Sequence, residues 1–207
     1  MAVPFQIDLK DKVAVVTGGG GILCSVMAKA LAECGAKVAI LDLREENAAK
    51  VADEINAAGF TAMGLGANVL ELASLQAAEE KIRTTWGPCD ILVNGAGGNN
   101  PKGTTSKEYL FPEDLNKQLE GVTTFFDLDP AGIGFVFNLN FIGTLLPTQV
   151  FCREMAWEQL FADEIAAGLQ QLRHAGLAGG GVLLACHGLG QHFDDQLIRP
   201  LELIDIH

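Results

Sequence analysis

Residues 13–21 read Val13-Ala-Val-Val-Thr17-Gly-Gly-Gly-Gly21, and the chain continues through Ile22–Cys34 at helical apolar spacing to Val38-Ala-Ile-Leu41-Asp42. An apolar run that breaks into glycines and resumes as a helix reads as a strand, a phosphate loop and a helix. Glycines let the backbone approach a pyrophosphate, and a helix N-terminus offers N–H groups at the positive end of its dipole. Asp42 closes the next apolar run, where a carboxylate accepts hydrogen bonds from an adenosine ribose. The same carboxylate repels a 2′-phosphate, so the pattern points to NAD rather than NADP. The plainer alternative is a tight glycine turn in an ordinary βαβ unit; Asp42 at this offset favours the nucleotide.

Working outward, Val13–Val16, Val38–Leu41, Thr61–Leu65 and Ile91–Val93 are expected strands. Ile22–Cys34, Glu45–Ala58 and Glu71–Trp86 lie between them and carry the helical period, with Gly35 as a helix stop. Strands separated by helices pair in parallel through right-handed crossovers. The expected fold class is therefore α/β, a Rossmann-like doubly wound parallel sheet of about five strands with the first strand central. Gly95–Asp127 is polar and interrupted by Pro101 and Pro112, and it follows directly on a strand end, where such sheets bind ligands. Phe135–Val150 is expected as a largely buried helix, Glu158–His174 as an amphipathic helix, and Val182–Cys186, after Gly179-Gly-Gly181, as a fifth strand.

The 207 residues, 49% of them hydrophobic and including 24 glycines, fit a globular α/β chain with a substantial core. A net charge of -12 argues against a nucleic-acid partner, which needs clustered Lys and Arg. Cysteines at 24, 34, 89, 152 and 186 make no paired or metal-like spacing and read as free thiols in a reducing cytoplasm. No secretory leader is legible, and no apolar stretch is expected to reach the length of a membrane span. Cytoplasmic localisation, no membrane and no metal site are the resulting expectations.

Taken together, Thr17-Gly18 with its glycine run, Asp42, Asn94-Gly-Ala-Gly97 and Asn138-Leu-Asn140-Phe-Ile-Gly143 resemble the short-chain dehydrogenase/reductase family. The wording Thr-Gly-Gly-Gly-Gly-Ile-Leu-Cys and Asn-Gly-Ala-Gly-Gly-Asn-Asn-Pro-Lys is closest to its sugar-acid branch, the mannonate or fructuronate oxidoreductases. The resemblance covers about residues 8–151, which divides the chain into an NAD-binding domain over 1–151 and a divergent tail over 152–207.

Residue by residue, the resemblance implies that Thr17 and Gly18 open the pyrophosphate loop and that Gly21 and Ile22 lead into the helix. Ile22 and Cys24 stand where the family commonly has glycine. Asp42 matches the ribose acid, and Asn68-Val69 an Asp-Val pair at the adenine. Asn94, Gly95, Ala96 and Gly97 match the segment lining the cofactor, and Asn140 the asparagine of a proton relay. The resemblance further implies a small-molecule substrate, a sugar acid or related polyol or ketone, in carbohydrate metabolism.

The family's acid/base chemistry also needs a Ser, a Tyr and a Lys four residues beyond it, the Lys lowering the phenol's pKa. They are not in their usual place. Tyr109 is the one tyrosine, Glu113 stands four residues on, the last Ser is Ser106 and the last Lys is Lys117. All four histidines fall at 174, 187, 192 and 207. His187 and His192 with Asp194 and Asp195 offer imidazole and carboxylate groups, for which a solvated loop is the commoner role. Glu113, Asp114, Asp127 and Asp129 are expected on a solvated loop face, and Cys24 and Cys186 as buried structural thiols. Trp86 is expected to close the packing of the third helix.

Three readings stay open. One is an NAD-dependent oxidoreductase. The second is a dinucleotide-binding remnant without turnover. The third is a tail foreign to the family, in which an uncovered apolar sheet edge beside Val182–Cys186 favours a homo-oligomer.

Overall fold

The computed structural model describes residues 7–115 and 120–157. Met1–Ala162 form one compact unit, and Asp163–His207, a second, lie beyond the described residues. Glu158–His174, Val182–Cys186 and the His187 group are likewise outside them.

Strand β1 (Val13–Thr17), helix α1 (Ile22–Glu33), β2 (Lys37–Asp42), α2 (Glu45–Ala57), β3 (Thr61–Gly66), α3 (Leu72–Trp86) and β4 (Ile91–Asn94) follow one another along the chain. The strands form one sheet in the order β3-β2-β1-β4, every pair parallel. The first strand is therefore internal, and each strand ends within a residue or two of its expected limit. Cys34 caps α1, and Gly35 after it takes the left-handed φ of +99° that lets the chain turn back.

Alternation along the strands decides which helix packs where. Ala14 and Val16 of β1, with Val38 and Ile40 of β2, face Ala28 and Ala32 of α1 and Ala48, Val51, Ala52 and Ile55 of α2. Val13, Val15, Ala39 and Leu41 point the other way, onto Leu75, Ala78 and Ile82 of α3 and onto Phe151. With both faces covered, β1 is apolar without alternation and buried at every residue, as parallel strands are. Trp86 packs at the edge of the second cluster, as expected.

The last described helix, α4, corrects two expectations. It begins at Pro130 and, through a π-helical turn at Asn138–Ile142, continues to Trp157. It is not largely buried. Phe151, Gly143 and Pro147 are buried and Leu139, Leu146, Val150 and Met155 pack against the core, but Phe135, Phe137, Phe141 and Leu145 are exposed. A helix laid on a sheet buries one stripe only. By length and composition this helix is also apolar enough to cross a membrane. Asn, Thr, Gln, Gly and Pro punctuate it, yet no charged residue occurs from Pro130 to Cys152.

Gly95–Asp127 holds three short 3₁₀ turns, Pro101–Gly103, Pro112–Leu115 and Phe125–Asp127. Ser106 and Thr123 tie its two arms together, Ser106 N–H donating to the Thr123 carbonyl at 3.0 Å and Thr123 N–H to Ser106 Oγ at 2.9 Å. Asp114 is buried rather than solvated. Its carboxylate pairs with Lys107 and accepts the Phe111 N–H, and the Lys107 ammonium holds the acid below its ordinary range. Asp127 completes a capping box with Thr124, and Asp129 caps α4 by accepting from Ala131 N–H at 2.9 Å.

The packing of α3 is testable. Leu75 is fully buried against the sheet, whereas Leu72, one turn earlier, is 46% exposed. Leu75→Ala is expected to cost about 2–5 kcal/mol in urea unfolding of the full chain, and Leu72→Ala less than about 1 kcal/mol. Equal losses would mean that α3 does not lie on this face.

Candidate functional site

The C-terminal ends of β1, β2 and β4 converge on one short stretch of backbone. Thr17, at the end of β1, is completely buried. Its Oγ1 accepts the N–H of Gly95 at 3.1 Å and of Ala96 at 3.2 Å, fastening the exit of β4 to the exit of β1. Gly18 then turns with φ +63°, and a Cβ there would stand 2.8 Å from Ala96 Cα and 2.9 Å from the Gly95 carbonyl. No side chain fits between these two backbones, and the left-handed φ excludes one independently.

Beyond Gly18 the loop is held by backbone bonds. Gly19 N–H donates to the Leu41 carbonyl at 3.0 Å and Gly21 N–H to the Gly18 carbonyl at 3.0 Å. Gly21 is the N-cap of α1; it has no side chain to accept the first N–H groups, and the first turn holds no acid. The N-terminal N–H groups of a helix lack internal partners. At α1 they meet neither a side-chain cap nor a resident carboxylate, which leaves the positive end of the dipole to an added anion. Ile22 and Leu23 in this turn are exposed.

Asp42 stands beside this loop. Gly20 N–H donates to its Oδ2 at 3.2 Å and Arg44 N–H to its Oδ1 at 3.1 Å. A Cβ on Gly20 would lie 2.8 Å from that carboxylate, so the glycine is what lets the acid lie against the loop. Arg44 is turned away from it. With the Asn47 amide oxygen facing the guanidinium, Arg44 donates to it from Nε at 3.0 Å and from Nη2 at 2.9 Å.

Cys24 closes the inner wall. Its Sγ donates to the Gly95 carbonyl at 3.7 Å, and a Cβ on Gly95 would overlap that sulfur. Cys24 is partly exposed, not the buried thiol expected, because it sits on the open first turn of α1. Burial first, and then the negative charge of Asp42, raise its pKa.

The segment leaving β4 is strapped from its other side by α4. Asn140 Nδ2 donates to the Gly98 carbonyl at 2.8 Å, and its Oδ1 accepts Gly98 N–H at 3.2 Å. The same Nδ2 donates to the Val136 carbonyl at 2.8 Å, inside the helix that widens to a π-turn at this point. A π-turn displaces carbonyls from the ordinary ladder, and such turns are frequent at functional sites. Asn94 Nδ2 donates to Thr148 Oγ1 at 3.0 Å. Thr148 carries no sequence signal of its own, and Gly98's role is found only by the partner the fold supplies.

Thr17, Gly18, Asp42, Asn94, Gly95, Ala96 and Gly97 thus come from strand ends and their exits along one edge of the sheet, with Gly21 and Ile22 at the start of α1 and Asn140 reaching in from α4. Asn68 and Val69 follow β3 at the same edge, but the Asn68 side chain is committed locally. Its Oδ1 accepts Leu70 N–H at 3.0 Å and its Nδ2 donates to Glu71 at 2.8 Å, a turn that starts α3. Tyr109 is 72% exposed on the wall of a cleft of about 140 Å³ within the 95–129 loop. Among the described residues, no three His, Cys, Asp or Glu side chains group closely enough to hold a metal ion.

This geometry has counterparts in known proteins. The model of the short chain dehydrogenase family matches residues 12–161. An uncharacterized oxidoreductase of Haemophilus influenzae is 53% identical over 159 residues, covering 77% of this chain and 54% of its own length. An uncharacterized oxidoreductase of Bacillus subtilis, UxuB, is 44% identical over 153 residues, covering 74% of this chain and 53% of its own. A crystal structure of a Haemophilus protein provisionally named a D-mannonate oxidoreductase, with bound NAD, is 51% identical and superposes with a TM-score of 0.66 over 72% of this chain and 52% of that one. The chain spans about half the length of these relatives. With most of its sequence matched by the family model and its four-stranded parallel sheet shared with a solved relative, the chain belongs to the short-chain dehydrogenase family.

Proposed function

We propose that this chain binds NAD and serves an oxidoreductase of the short-chain dehydrogenase type acting on a sugar acid. The observation that carries the cofactor is Asp42, its two oxygens lying on the N–H groups of Gly20 and Arg44 at the lip of the glycine loop. A carboxylate there accepts ribose hydroxyls and repels a 2′-phosphate. The residues present fit the dinucleotide: the cradle at Gly18–Gly21 is closed to a Cβ at Gly18, and α1 begins without a side-chain cap.

In this reading Thr17, Gly18, Gly21 and Ile22 hold the pyrophosphate, Asp42 the ribose, and Asn68 and Val69 the adenine side. Asn94, Gly95, Ala96 and Gly97 line the nicotinamide half. Asn140, already bonded to Gly98, keeps that lining in place and holds a relay water. Held there, NAD would supply the hydride chemistry; the chain's own residues would bind and orient. The solved relative with bound NAD supports the cofactor, and its provisional name supports the sugar acid. Residues 1–151 make up the dinucleotide domain and 152–207 a separate tail. We further read the protein as cytoplasmic and self-associating, with α4 a packed helix: Phe151 is 2% exposed and sits among Val15, Leu41 and Leu75.

Two measurements test this reading. NADH is expected to bind more tightly than NADPH, and Asp42→Ala to weaken NADH by on the order of 1–3 kcal/mol, as for a lost charge-assisted hydrogen bond. Equal affinity for the two cofactors, or no loss in the variant, would take the carboxylate away from the ribose. The second measurement concerns Tyr109, which is exposed and has Glu113 rather than a lysine four residues on. Tyr109→Phe is expected to change neither NADH affinity nor the rate of NADH consumption with six-carbon keto acids by more than about twofold. The general acid term is typically about 10²–10⁴-fold, so a fall of that size would make Tyr109 the proton donor.

A further inference from the structure

On a chain of net charge -12, cations near the site are scarce and their placement is informative. Just past the strand ends, at the edge that carries the dinucleotide residues, the described residues include three: Arg44 after β2, and Lys102 and Lys107 after β4. Two are committed. Arg44 donates twice to the Asn47 amide, and Lys107 is paired with the buried Asp114. Lys102 differs: its side chain is 74% exposed and its ammonium stands 4.0 Å from Asp129, the outer limit of an ion pair.

The backbone of Lys102 is nevertheless held from several directions. Its N–H donates to Asn100 Oδ1 at 2.9 Å, and its carbonyl accepts Asp129 N–H at 2.9 Å. Gly132 presses so closely on it that a Cβ there would lie 2.5 Å from the Lys102 carbonyl carbon. A long flexible side chain is thus mounted on a fixed base, four residues beyond the Gly98 that Asn140 pins.

We propose that Lys102 binds the carboxylate of the substrate and so makes the site select a sugar acid over the corresponding neutral polyol. This rests on the sugar-acid reading above and assigns the residue that would enforce it. One ammonium suits a single carboxylate. Asp129 beside it, with Oδ1 engaged by Ala131 N–H, leaves Oδ2 to accept a substrate hydroxyl. The same Asp129 repels a doubly charged phosphate, so the pair suits a polyhydroxy monoanion.

The test is calorimetric titration of the full-length chain with D-mannonate and with D-mannitol, each with and without saturating NADH. The wild-type chain is expected to bind the acid about tenfold more tightly than the alditol, the scale of one charge-assisted contact. Lys102→Gln is expected to bring the two within about twofold, Lys102→Arg to keep most of the difference, and both to leave NADH affinity unchanged. Retention of the preference in Lys102→Gln, or equal binding of acid and alditol by the wild type, would overturn the proposal. If NADH fails to bind, the dinucleotide reading falls, and the titrations without NADH decide Lys102 separately.

Discussion

Everything at the functional edge depends on how closely two backbones approach each other. The Thr17 hydroxyl accepts two N–H groups from the chain leaving β4, and this works because Gly18 brings no side chain between them. Gly95 is exposed and Ala96 half-buried, so each of these two bonds contributes on the order of 0.5–1.5 kcal/mol. The hydroxyl ties the two strand exits together just past the point where the sheet's own pairing ends, at Thr17↔Asn94. Gly19, Gly20 and Gly21 can then lie across the strand ends, and Asp42 can accept from Gly20. A larger residue at 18 or 95 would open the cradle from beneath.

That approach also explains how much was legible. Strands β1 to β4 were readable because each is a short apolar run packed wholly or partly against the core, and because α1 to α3 keep one packed stripe each. The glycine loop and Asp42 were readable as a spacing. What no spacing reveals is a partner brought from far along the chain: Thr148 for Asn94, Gly98 for Asn140, Asn47 turned toward Arg44. Asp114 misled for a related reason. It lies in a run of polar and charged residues, where exposure is the ordinary outcome, and only the Lys107 ammonium and the Phe111 N–H make its burial affordable.

The helix α4 shows a different limit. Its apolar residues are too many for one buried stripe, so its pattern gave no direction, and a largely buried helix was the natural expectation. The fold separates its faces. Phe151, Leu146 and Val150 go to the sheet, whereas Phe137, Phe141 and Leu145 stand on the exposed side. The π-turn over Asn138–Ile142 carries Asn138 and Asn140, and there Asn140 reaches out to Gly98 while still bonding Val136 within the helix.

Binding and chemistry are separable in this architecture, and the separation follows from where each set of contacts lies. The cradle is assembled by groups between Thr17 and Thr148: strand exits, two threonine hydroxyls, the asparagine amides of β4 and α4, and an aspartate, all tied by hydrogen bonds of 2.8–3.2 Å. None of these ties needs a residue beyond α4. Proton transfer asks for more, namely a group of tuned acidity at hydrogen-bond distance from the reacting oxygen. The described residues provide one exposed tyrosine, with no lysine at the spacing that tunes it. On the proposed function, dinucleotide affinity and turnover would draw on different groups, so a substitution in one would leave the other measurable. The proposed preference of Asp42 for an unphosphorylated ribose would rest on a carboxylate held by Gly20 and Arg44 N–H, whatever chemistry is carried out at the nicotinamide end.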